Sequence, residues 1–329
     1  MNILVTGGLG YIGSHTCVEL LKHNHNVVIV DNLSNTEMDV LDKIKHLTNK
    51  DIPFYQVDVS KESEIEGVFN KHTFDGIIHF AGYKAVGESV KKPLKYYQNN
   101  VLSTIVLARL ALQYNVPRFV FSSSATVYGD QVSPFKEDMP LLKTTNPYGE
   151  SKAMSERVLM DTANANSQLG VCLLRYFNPV GAHSSGLIGE RPKGIPNNLM
   201  PYITQTAKGL REKLFVFGND YPTHDGTGIR DYIHVVDLAV GHVLAIEQLK
   251  AGTHIYNLGT GQGVSVLELI ETFKKVNKVD IPYEIVERRA GDIAISYADA
   301  TKAAQELGFK TKHTVKDMVK DAYNFEKNN

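Results

Sequence analysis

Three glycines near the start of the chain limit its possible folds more than any other feature. Gly7, Gly10 and Gly13 follow the apolar run Asn2–Thr6 directly and precede a helix predicted from Ser14 to His23. A backbone without Cβ atoms turns tightly and approaches a pyrophosphate closely, with the positive end of the helix facing the anion. A strand, a glycine turn and a helix in this order predict the first unit of a dinucleotide-binding sheet.

The next predicted strand, Val27–Val30, ends in a carboxylate. Asp31 follows it at about the distance from Gly13 at which dinucleotide sites carry an acid. Such a carboxylate accepts hydrogen bonds from the adenosine ribose and repels a 2′-phosphate, so we predict NAD rather than NADP. A helix or loop cap is the alternative role for Asp31. Asp58 and Val59 end another short strand, where an adenine could be held.

Strand and helix patterns continue to alternate along the first half of the chain. Apolar strands are predicted at 76–80, 118–121 and 171–175, and long helices at 89–114 and from 148 onward. Repeated strand–helix units predict an α/β fold with a doubly wound parallel sheet of the Rossmann type. Right-handed crossovers place the glycine loop, Ser124 and Tyr148 at one edge of that sheet.

The pattern changes after residue 178. Residues 181–232 are rich in Gly, Pro and Asn, with one clear helix near 197–209. A helix at 237–249 and a strand at 254–258 are expected to return to the main sheet. We therefore predict a dinucleotide-binding domain of residues 1–178, joined by the returning elements around 235–259. Residues 179–329 are predicted to form a smaller substrate-binding lobe.

Composition argues against several classes of partner. A formal net charge of −1 over 329 residues offers no field that attracts nucleic acid or an anionic membrane. The chain has no apolar run of about 18 residues and opens on a strand, so neither a membrane span nor a signal peptide is predicted. Two cysteines, Cys17 and Cys172, indicate a reducing compartment, and we predict a cytoplasmic protein without a disulfide. No metal site is expected.

Tyr148 and Lys152 are the candidate catalytic pair. Asn146 and Pro147 are typical of a helix cap and a first helical residue, so the two side chains lie one turn apart on one face. A free phenol, with a pKa of about 10, is a weak base at neutral pH, and a neighbouring ammonium favours its ionised form. Taken alone, the spacing also fits a tyrosine beside a solvated lysine. Ser124, after the strand at 118–121, equally fits an ordinary turn residue.

Longer strings resemble the extended short-chain dehydrogenase/reductase family, in which a Ser or Thr, a Tyr and a Lys act beside NAD. These strings, which extend over essentially the whole chain, are His79–Gly82, Lys84–Ser89, Ser122–Asp130, Leu174–Gly181, Gly194–Pro201 and Phe217–His234. The resemblance implies catalytic roles for Ser124, Tyr148 and Lys152.

The resemblance also implies two sets of binding residues. NAD would be held by Gly7, Gly10, Tyr11, Ile12, Gly13, Asp31, Asn32, Leu33, Ser34, Asn35, Thr36, Asp58, Val59, Phe80, Ala81, Gly82, Tyr83, Lys84, Asn99, Ser124, Tyr148, Lys152 and Phe177. A UDP-sugar would be held by Lys84, Ser124, Tyr148, Asn178, Asn198, Leu199, Phe215, Val216, Phe217, Arg230, Arg289, Asp292 and Ser296. Guanidinium groups suit a diphosphate because each offers paired donors.

The strings are similar to those of family members that invert C4 of a UDP-hexose through a 4-keto intermediate. By this resemblance, Tyr148 takes the proton of the C4 hydroxyl while hydride moves to NAD, and the hydride returns to the other face of the sugar. Ser296 falls at a size gate where some relatives carry a tyrosine. UDP-GlcNAc and UDP-GalNAc are therefore expected as substrates beside UDP-glucose and UDP-galactose. Tyr297 is the next residue, and a shift of one position would restore a bulky gate.

Two other functions, that of a nucleotide-sugar 4,6-dehydratase and that of a non-catalytic NAD-sensing protein, agree less well with the sequence. The nucleotide-sugar 4,6-dehydratases resemble one another in an Asp-Glu pair after the strand that carries the serine, where this chain has Ala125 and Thr126. A non-catalytic NAD-sensing protein of the same fold would be expected to lose the tyrosine, the lysine or the sugar-binding strings, all of which are present. By family habit we also expect a homodimer, with the helices at 89–114 and 148–167 pairing across a two-fold axis.

Overall fold

The computed structural model describes residues 1–289 and 291–329, arranged as fourteen strands and twelve α-helices. The strands are β1 (Asn2–Thr6), β2 (Asn26–Asp31), β3 (Phe54–Gln56), β4 (Gly76–His79), β5 (Arg118–Ser122), β6 (Gly170–Tyr176), β7 (Asn178–Val180), β8 (Leu214–Phe217), β9 (Ile229–Arg230), β10 (Tyr232–His234), β11 (Gly252–Leu258), β12 (Val264–Ser265), β13 (Tyr283–Val286) and β14 (Ile295–Ser296). The helices are α1 (Tyr11–Lys22), α2 (Asp39–Thr48), α3 (Glu62–Phe69), α4 (Val86–Lys91), α5 (Pro93–Tyr96), α6 (Leu102–Gln113), α7 (Pro147–Ala165), α8 (Leu199–Ala207), α9 (Val235–Gln248), α10 (Val266–Asn277), α11 (Thr301–Leu307) and α12 (Val315–Asn328).

Seven parallel strands form the central sheet in the order β11-β6-β5-β4-β1-β2-β3. Both faces of this sheet are covered, because alternate residues of β1 enter different apolar clusters. Ile3 and Val5 pack with α1 and α9 on one face, whereas Leu4 packs with α3, α6 and α7 on the other. The predicted doubly wound parallel sheet is confirmed. The strand order reverses beside β1, so a crevice opens at the carboxyl ends of β1 and β4.

The second half of the chain builds a smaller lobe around its own apolar cluster. Side chains of α8, α10 and α12 pack there against β8, which pairs in parallel with β13. Two strands pass between the lobes side by side. β7 follows β6 almost directly and pairs with β10, and β10 leads straight into α9. β11 pairs with β6 in the central sheet. The predicted domain boundary at residue 178 stays a prediction.

The long helix predicted at 89–114 is present but is interrupted once, at Lys92. The chain forms α4 and α5, then a π-helical segment at Tyr97–Val101, and then α6. Pro93 is the cause, because its ring lacks an N–H and disfavours α-helical geometry at the residue before it. Lys92 accordingly lies at φ −135° and ψ 59°. The π-helical segment carries Asn99 toward the crevice.

Two observations bear on the environment of the protein. Among residues 1–289 and 291–329, no helix is both long and apolar enough to cross a membrane. Cys17 and Cys172 are both buried as free thiols. The predicted cytoplasmic location stays a prediction.

Candidate active site

A cavity of about 490 Å³ occupies the crevice at the carboxyl ends of the strands. Twenty of the predicted cofactor-binding residues line it, and the remaining three, Leu33, Ser124 and Phe177, do not. Residues 187–193 of the smaller lobe close the other side of the cavity. The fold therefore brings the two lobes together around one elongated site.

The glycine loop has the shape that a pyrophosphate requires. Gly7 has a φ of +69°, and a Cβ on it would lie 2.7 Å from the backbone nitrogen of Ala81. A Cβ on Gly13 would lie 2.3 Å from the carbonyl oxygen of Gly7. Gly10 caps α1 and makes no side-chain hydrogen bond to the helix, so the first N–H groups face the cavity without a side-chain acceptor. These features fit a dinucleotide with its pyrophosphate at the helix N-terminus.

Asp31 is fixed by backbone groups at the end of β2. Its Oδ1 accepts a hydrogen bond from the Leu33 amide at 2.9 Å, and its Oδ2 accepts one from the Leu9 amide at 3.2 Å. Burial raises the pKa of the carboxyl, and these amides oppose the rise. The anchored carboxylate lines the cavity and retains lone pairs for a ribose hydroxyl.

Tyr148 and Lys152 lie together on the first turns of α7 and both line the cavity. The Asn146 Oδ1 caps this helix by accepting a hydrogen bond from the Gly149 amide at 2.9 Å. The Lys152 ammonium donates to the Ser122 carbonyl at 2.7 Å and lies 4.7 Å from the ring centroid of Phe121. These contacts hold the lysine head at the end of β5, beside the tyrosine.

The direction of the Tyr148 pKa shift differs from the prediction. Burial raises the pKa of Tyr148, an effect that the Ser124 hydroxyl opposes. The predicted lowering is therefore wrong for the protein by itself, because desolvation of the phenolate outweighs the effect of the neighbouring lysine. Burial also lowers the pKa of Lys152 to about 8, against the opposing charge of Glu156. Further positive charge beside Tyr148 would lower its pKa and favour its action as a base.

An ion pair that the sequence analysis missed supports the catalytic helix. Glu156 lies one turn beyond Lys152 on α7 and receives two hydrogen bonds from Arg175 of β6, at 3.0 and 2.7 Å. Both side chains are buried. A buried carboxylate on a helix gives no distinctive sequence pattern, so its partner on a distant strand was not foreseeable.

Glu190 is a second residue that the sequence analysis missed. Its Oε1 accepts hydrogen bonds from the Lys84 ammonium at 2.9 Å and from the Asn198 amide at 2.6 Å. Lys84 and Asn198 come from different lobes, and both are predicted binding residues. The carboxylate therefore joins the cofactor side of the cavity to the predicted sugar side.

The predicted sugar-binding residues beyond this link form two small groups. Arg289 donates to Asp292 at 2.9 and 3.2 Å, and its guanidinium lies 5.1 Å from the ring centroid of Phe217. Arg230 lies opposite Ser296 in the register of β9 and β14, and its Nη1 donates to the Ile229 carbonyl at 2.8 Å. Asn178 begins β7 and Leu199 begins α8.

β8 and β14 show which neighbouring side chains share a face. Phe215 and Phe217 are exposed, whereas Val216 between them packs into the core of the smaller lobe. Val216 can therefore contact a ligand only through its backbone. Tyr297 lines a separate surface cavity with Pro134 and Gly261, while Ser296 before it is buried. Ser296 ends β14 and Tyr297 follows it, so the two side chains have different surroundings.

Among residues 1–289 and 291–329, no group of three or more His, Cys, Asp or Glu side chains is placed to hold a metal ion. Titratable groups that line the cavity include the Tyr148 phenol, the Lys152 ammonium and the carboxyl groups of Asp31 and Glu190. Their arrangement suits proton transfer beside a bound dinucleotide.

Comparison with known proteins gives full-length matches. Residues 3–259 match the NAD dependent epimerase/dehydratase family. UDP-glucose 4-epimerase of Bacillus subtilis is 53% identical and that of Haemophilus influenzae 54%, each alignment spanning 100% of this chain and 98% of the relative. The crystal structure of UDP-glucose 4-epimerase from Bifidobacterium longum in complex with NAD⁺ and UDP superposes with a TM-score of 0.97 at 50% identity, covering 100% of this chain and 99% of that one. The UDP-Glc/GlcNAc 4-epimerase from Campylobacter jejuni gives a TM-score of 0.86 at 40% identity, with 99% of each chain covered.

Proposed function

The chain belongs to the NAD dependent epimerase/dehydratase family, and we propose that it interconverts UDP-glucose and UDP-galactose by NAD-dependent inversion at C4. The full-length matches confirm the family resemblance predicted from the sequence strings. The observation that carries the proposal is the cavity in which Tyr148 and Lys152 lie beside the glycine loop and Asp31. A proton-transfer pair next to a dinucleotide site is the arrangement that oxidation and reduction of a sugar hydroxyl require.

Tyr148, Lys152 and Ser124 have different roles in the proposed reaction. When bound, NAD⁺ would accept the hydride from C4 of the sugar and, as NADH, return it to the other face of the 4-keto sugar, and its positive charge would favour the Tyr148 phenolate. Tyr148 removes the proton of the C4 hydroxyl, and it returns that proton after the 4-keto sugar has turned over. Lys152 retains most of its charge at pH 7, because its pKa is about 8, and this charge stabilises the phenolate. Ser124 aligns the sugar oxygen with the phenol.

The nucleotide end of the substrate is held more firmly than the sugar ring. Arg230 and Arg289 are proposed to bind the diphosphate, with Phe217 against the uracil. The contact between Arg289 and Phe217 supports this role, because it places a cation and an exposed aromatic face together. Anchors limited to the UDP group leave the sugar free to present either face to the cofactor.

An elimination reaction lacks the groups it needs here. The short 3₁₀ helix after Ser124 runs from Ala125 to Tyr128 and contains no carboxylate. A 4,6-dehydratase would require an acid and a base at this position to act on C5 and C6 of the sugar. We therefore favour inversion over elimination.

Tyr148→Phe tests the proposed reaction. The variant should lose about 10² to 10⁴ in kcat, because the phenol acts on the proton in flight, whereas UDP binding should persist. Turnover of UDP-galactose is measured with a coupled assay, and UDP binding by calorimetry. Tyr114→Phe is the matched control, since its hydroxyl bonds to Asn70 outside the cavity. Near-normal turnover by Tyr148→Phe would exclude the proposed role.

The proposed substrate range includes UDP-GlcNAc and UDP-GalNAc. Serine is smaller than the tyrosine of some relatives and would obstruct a 2-acetamido group less, and Tyr297 lines a different cavity, which supports Ser296 as the gate residue. The relative from Campylobacter jejuni, named for both UDP-Glc and UDP-GlcNAc, is consistent with this breadth. Ser296→Tyr should abolish turnover of the N-acetyl pair and spare the other pair, whereas Ser296→Ala should retain both. A parent enzyme inert on UDP-GlcNAc, or a tyrosine variant active on it, would contradict the proposal.

A homodimer is proposed through the helices beside the cavity. Val90, Leu94, Ile105 and Met154 are exposed apolar side chains on α4, α5, α6 and α7, and Leu94 is 78% exposed. A second copy of the chain would cover these side chains, as in a symmetric helix–helix contact. Leu94→Asp should convert a dimer to a monomer in light scattering. A parent that is monomeric at micromolar concentration would contradict this assembly.

A further inference from the structure

Three cations reach the end of the cavity where Asp31 lies, although residues 31–35 contain no Lys or Arg. Lys43 comes from α2, and Arg191 and Lys193 come from the smaller lobe. All three line the cavity together with Asp31. The electrostatic potential at the predicted adenosine ribose site therefore depends on these three cations as well as on the Asp31 carboxylate.

The backbone of Leu33 links Lys193 to Asp31. Its ammonium donates to the Leu33 carbonyl at 3.2 Å, and the Leu33 amide donates to the Asp31 carboxylate at 2.9 Å. The charge of Lys193 reaches the carboxylate, because it opposes the rise in the pKa of Asp31 that burial causes. A phosphate on the ribose held by Asp31 would thus have a lysine within reach.

Each cation is engaged by a carboxylate. The Glu37 Oε1 lies 3.1 Å from the Lys193 Nζ. The Asp39 Oδ2 lies 3.0 Å from the Lys43 Nζ and 3.1 Å from the Arg191 Nη1. Together with Asp31, these two carboxylates match the three cations in number. A 2′-phosphate, with a charge of about −1.5 to −2 at pH 7, would have to displace a carboxylate to gain a cation.

We infer that Glu37 is a specificity-determining residue that, together with Asp31, excludes dinucleotides carrying a 2′-phosphate by keeping Lys193 neutralised. The inference rests on the proposed use of NAD and extends it to a residue outside the β2 turn. Glu37→Gln removes one negative charge near the phosphate position and frees the lysine for a charge-assisted hydrogen bond. Because the Lys193 and Glu37 side chains are 40% and 54% exposed, the ratio of NADP to NAD bound should rise about twofold to fivefold, which corresponds to less than about 1 kcal/mol.

The test measures which cofactor the full-length enzyme holds, independently of turnover. Purified protein is dialysed against equal concentrations of NAD⁺ and NADP⁺ until the bound ratio is constant, and the nucleotides are then released and separated by chromatography. Glu37→Gln should raise the bound NADP fraction, and Asp31→Asn/Glu37→Gln should raise it further. Glu37→Gln/Lys193→Met should lose the gain, because the freed lysine is its source. Glu62→Gln is the matched control, since its exposed partner Arg109, at 2.7 Å, lies away from the cavity.

Each outcome bears on a different claim. The inference is overturned if Glu37→Gln binds NADP and NAD in the same ratio as the parent. It is also overturned if the increase in bound NADP persists in Glu37→Gln/Lys193→Met, or if Glu62→Gln shows an equal increase. A parent that binds NADP as well as NAD overturns it too, because nothing would then be excluded. A parent that binds neither dinucleotide would instead refute the proposed function, so the two failures are distinguishable.

Discussion

Glu156→Gln removes one charge from the ion pair behind the candidate catalytic residues. Two guanidinium nitrogens of Arg175 donate to the two oxygens of Glu156 at 3.0 and 2.7 Å, and the Ser123 hydroxyl donates to Oε1 at 2.6 Å. The arginine side chain is 3% exposed and the glutamate 0%. Glutamine retains the shape of the side chain but leaves the guanidinium buried without a counterion.

The burial of this pair decides the size of the effect. Removing one partner of a buried ion pair costs about 3–5 kcal/mol, because the remaining charge stays desolvated. An exposed pair is worth only about 0–1 kcal/mol. Arg109 and Glu62, which are 53% and 35% exposed, form such a pair. We therefore expect Glu156→Gln to lose at least about 3 kcal/mol and Glu62→Gln less than about 1 kcal/mol in free energy of unfolding.

Equilibrium urea denaturation measures this difference. Far-UV circular dichroism is the suitable signal, because the chain contains no tryptophan. Glu156→Met/Arg175→Met should recover most of the loss, since replacing both charges by apolar side chains is often near neutral. If Glu156→Gln unfolds no more easily than Glu62→Gln, the pair does not stabilise the catalytic helix in the way argued here.

Further predictions concern the pH dependence of stability and the glycine loop. The pKa of Lys152 is about 8 in the folded chain against 10.5 when unfolded, so the folded state releases this proton first. This titration should contribute a gain of about 3 kcal/mol in stability between pH 8 and 10.5, measured in urea titrations at each pH as the change in the stability difference between the parent and Lys152→Met; a difference that stays constant with pH would contradict it. Gly13→Ala should abolish retention of NAD, measured as nucleotide released from the purified protein, because the added Cβ would lie 2.3 Å from the Gly7 carbonyl oxygen. Gly67→Ala, with no atom within 4 Å of the added Cβ, is the control and should gain about 0.5–1 kcal/mol in stability.

The central sheet was predictable because its signals are local. The glycine string, the apolar strands and the acid after Val30 each lie within one unit of the chain, and parallel pairing follows from their alternation. The interruption of the helix at 89–114 was missed because the apolar pattern continues past Pro93, while the proline interrupts the backbone. The spacing of apolar residues indicates which face of a helix is buried, but it gives no information about a missing backbone N–H.

Residues of the candidate site could be predicted only where they belong to a recognisable sequence motif. Lys193, Glu190 and Arg175 reach the cavity or its support from segments far away in the chain, and no spacing rule connects them to Asp31, Lys84 or Glu156. The direction of the pKa of Tyr148 was wrong for a related reason. The effect of a neighbouring lysine can be anticipated from the sequence, whereas the desolvation that outweighs it depends on packing from several elements.

The paired strands β7 and β10 restrain bending where they connect the two lobes. Asn178 pairs with Tyr232 and Val180 with His234, and the Asn178 amide also donates to the Asp231 carbonyl at 3.0 Å. A hinge absorbs backbone rotation at residues that can change conformation freely, and these hydrogen-bonded residues cannot do so without breaking the ladder. The slot between the lobes should therefore keep a nearly constant width throughout turnover. A sugar that must present both faces to one cofactor would then turn within a nearly fixed volume, and the side chains around it, rather than closure of the lobes, would limit which sugars can do so.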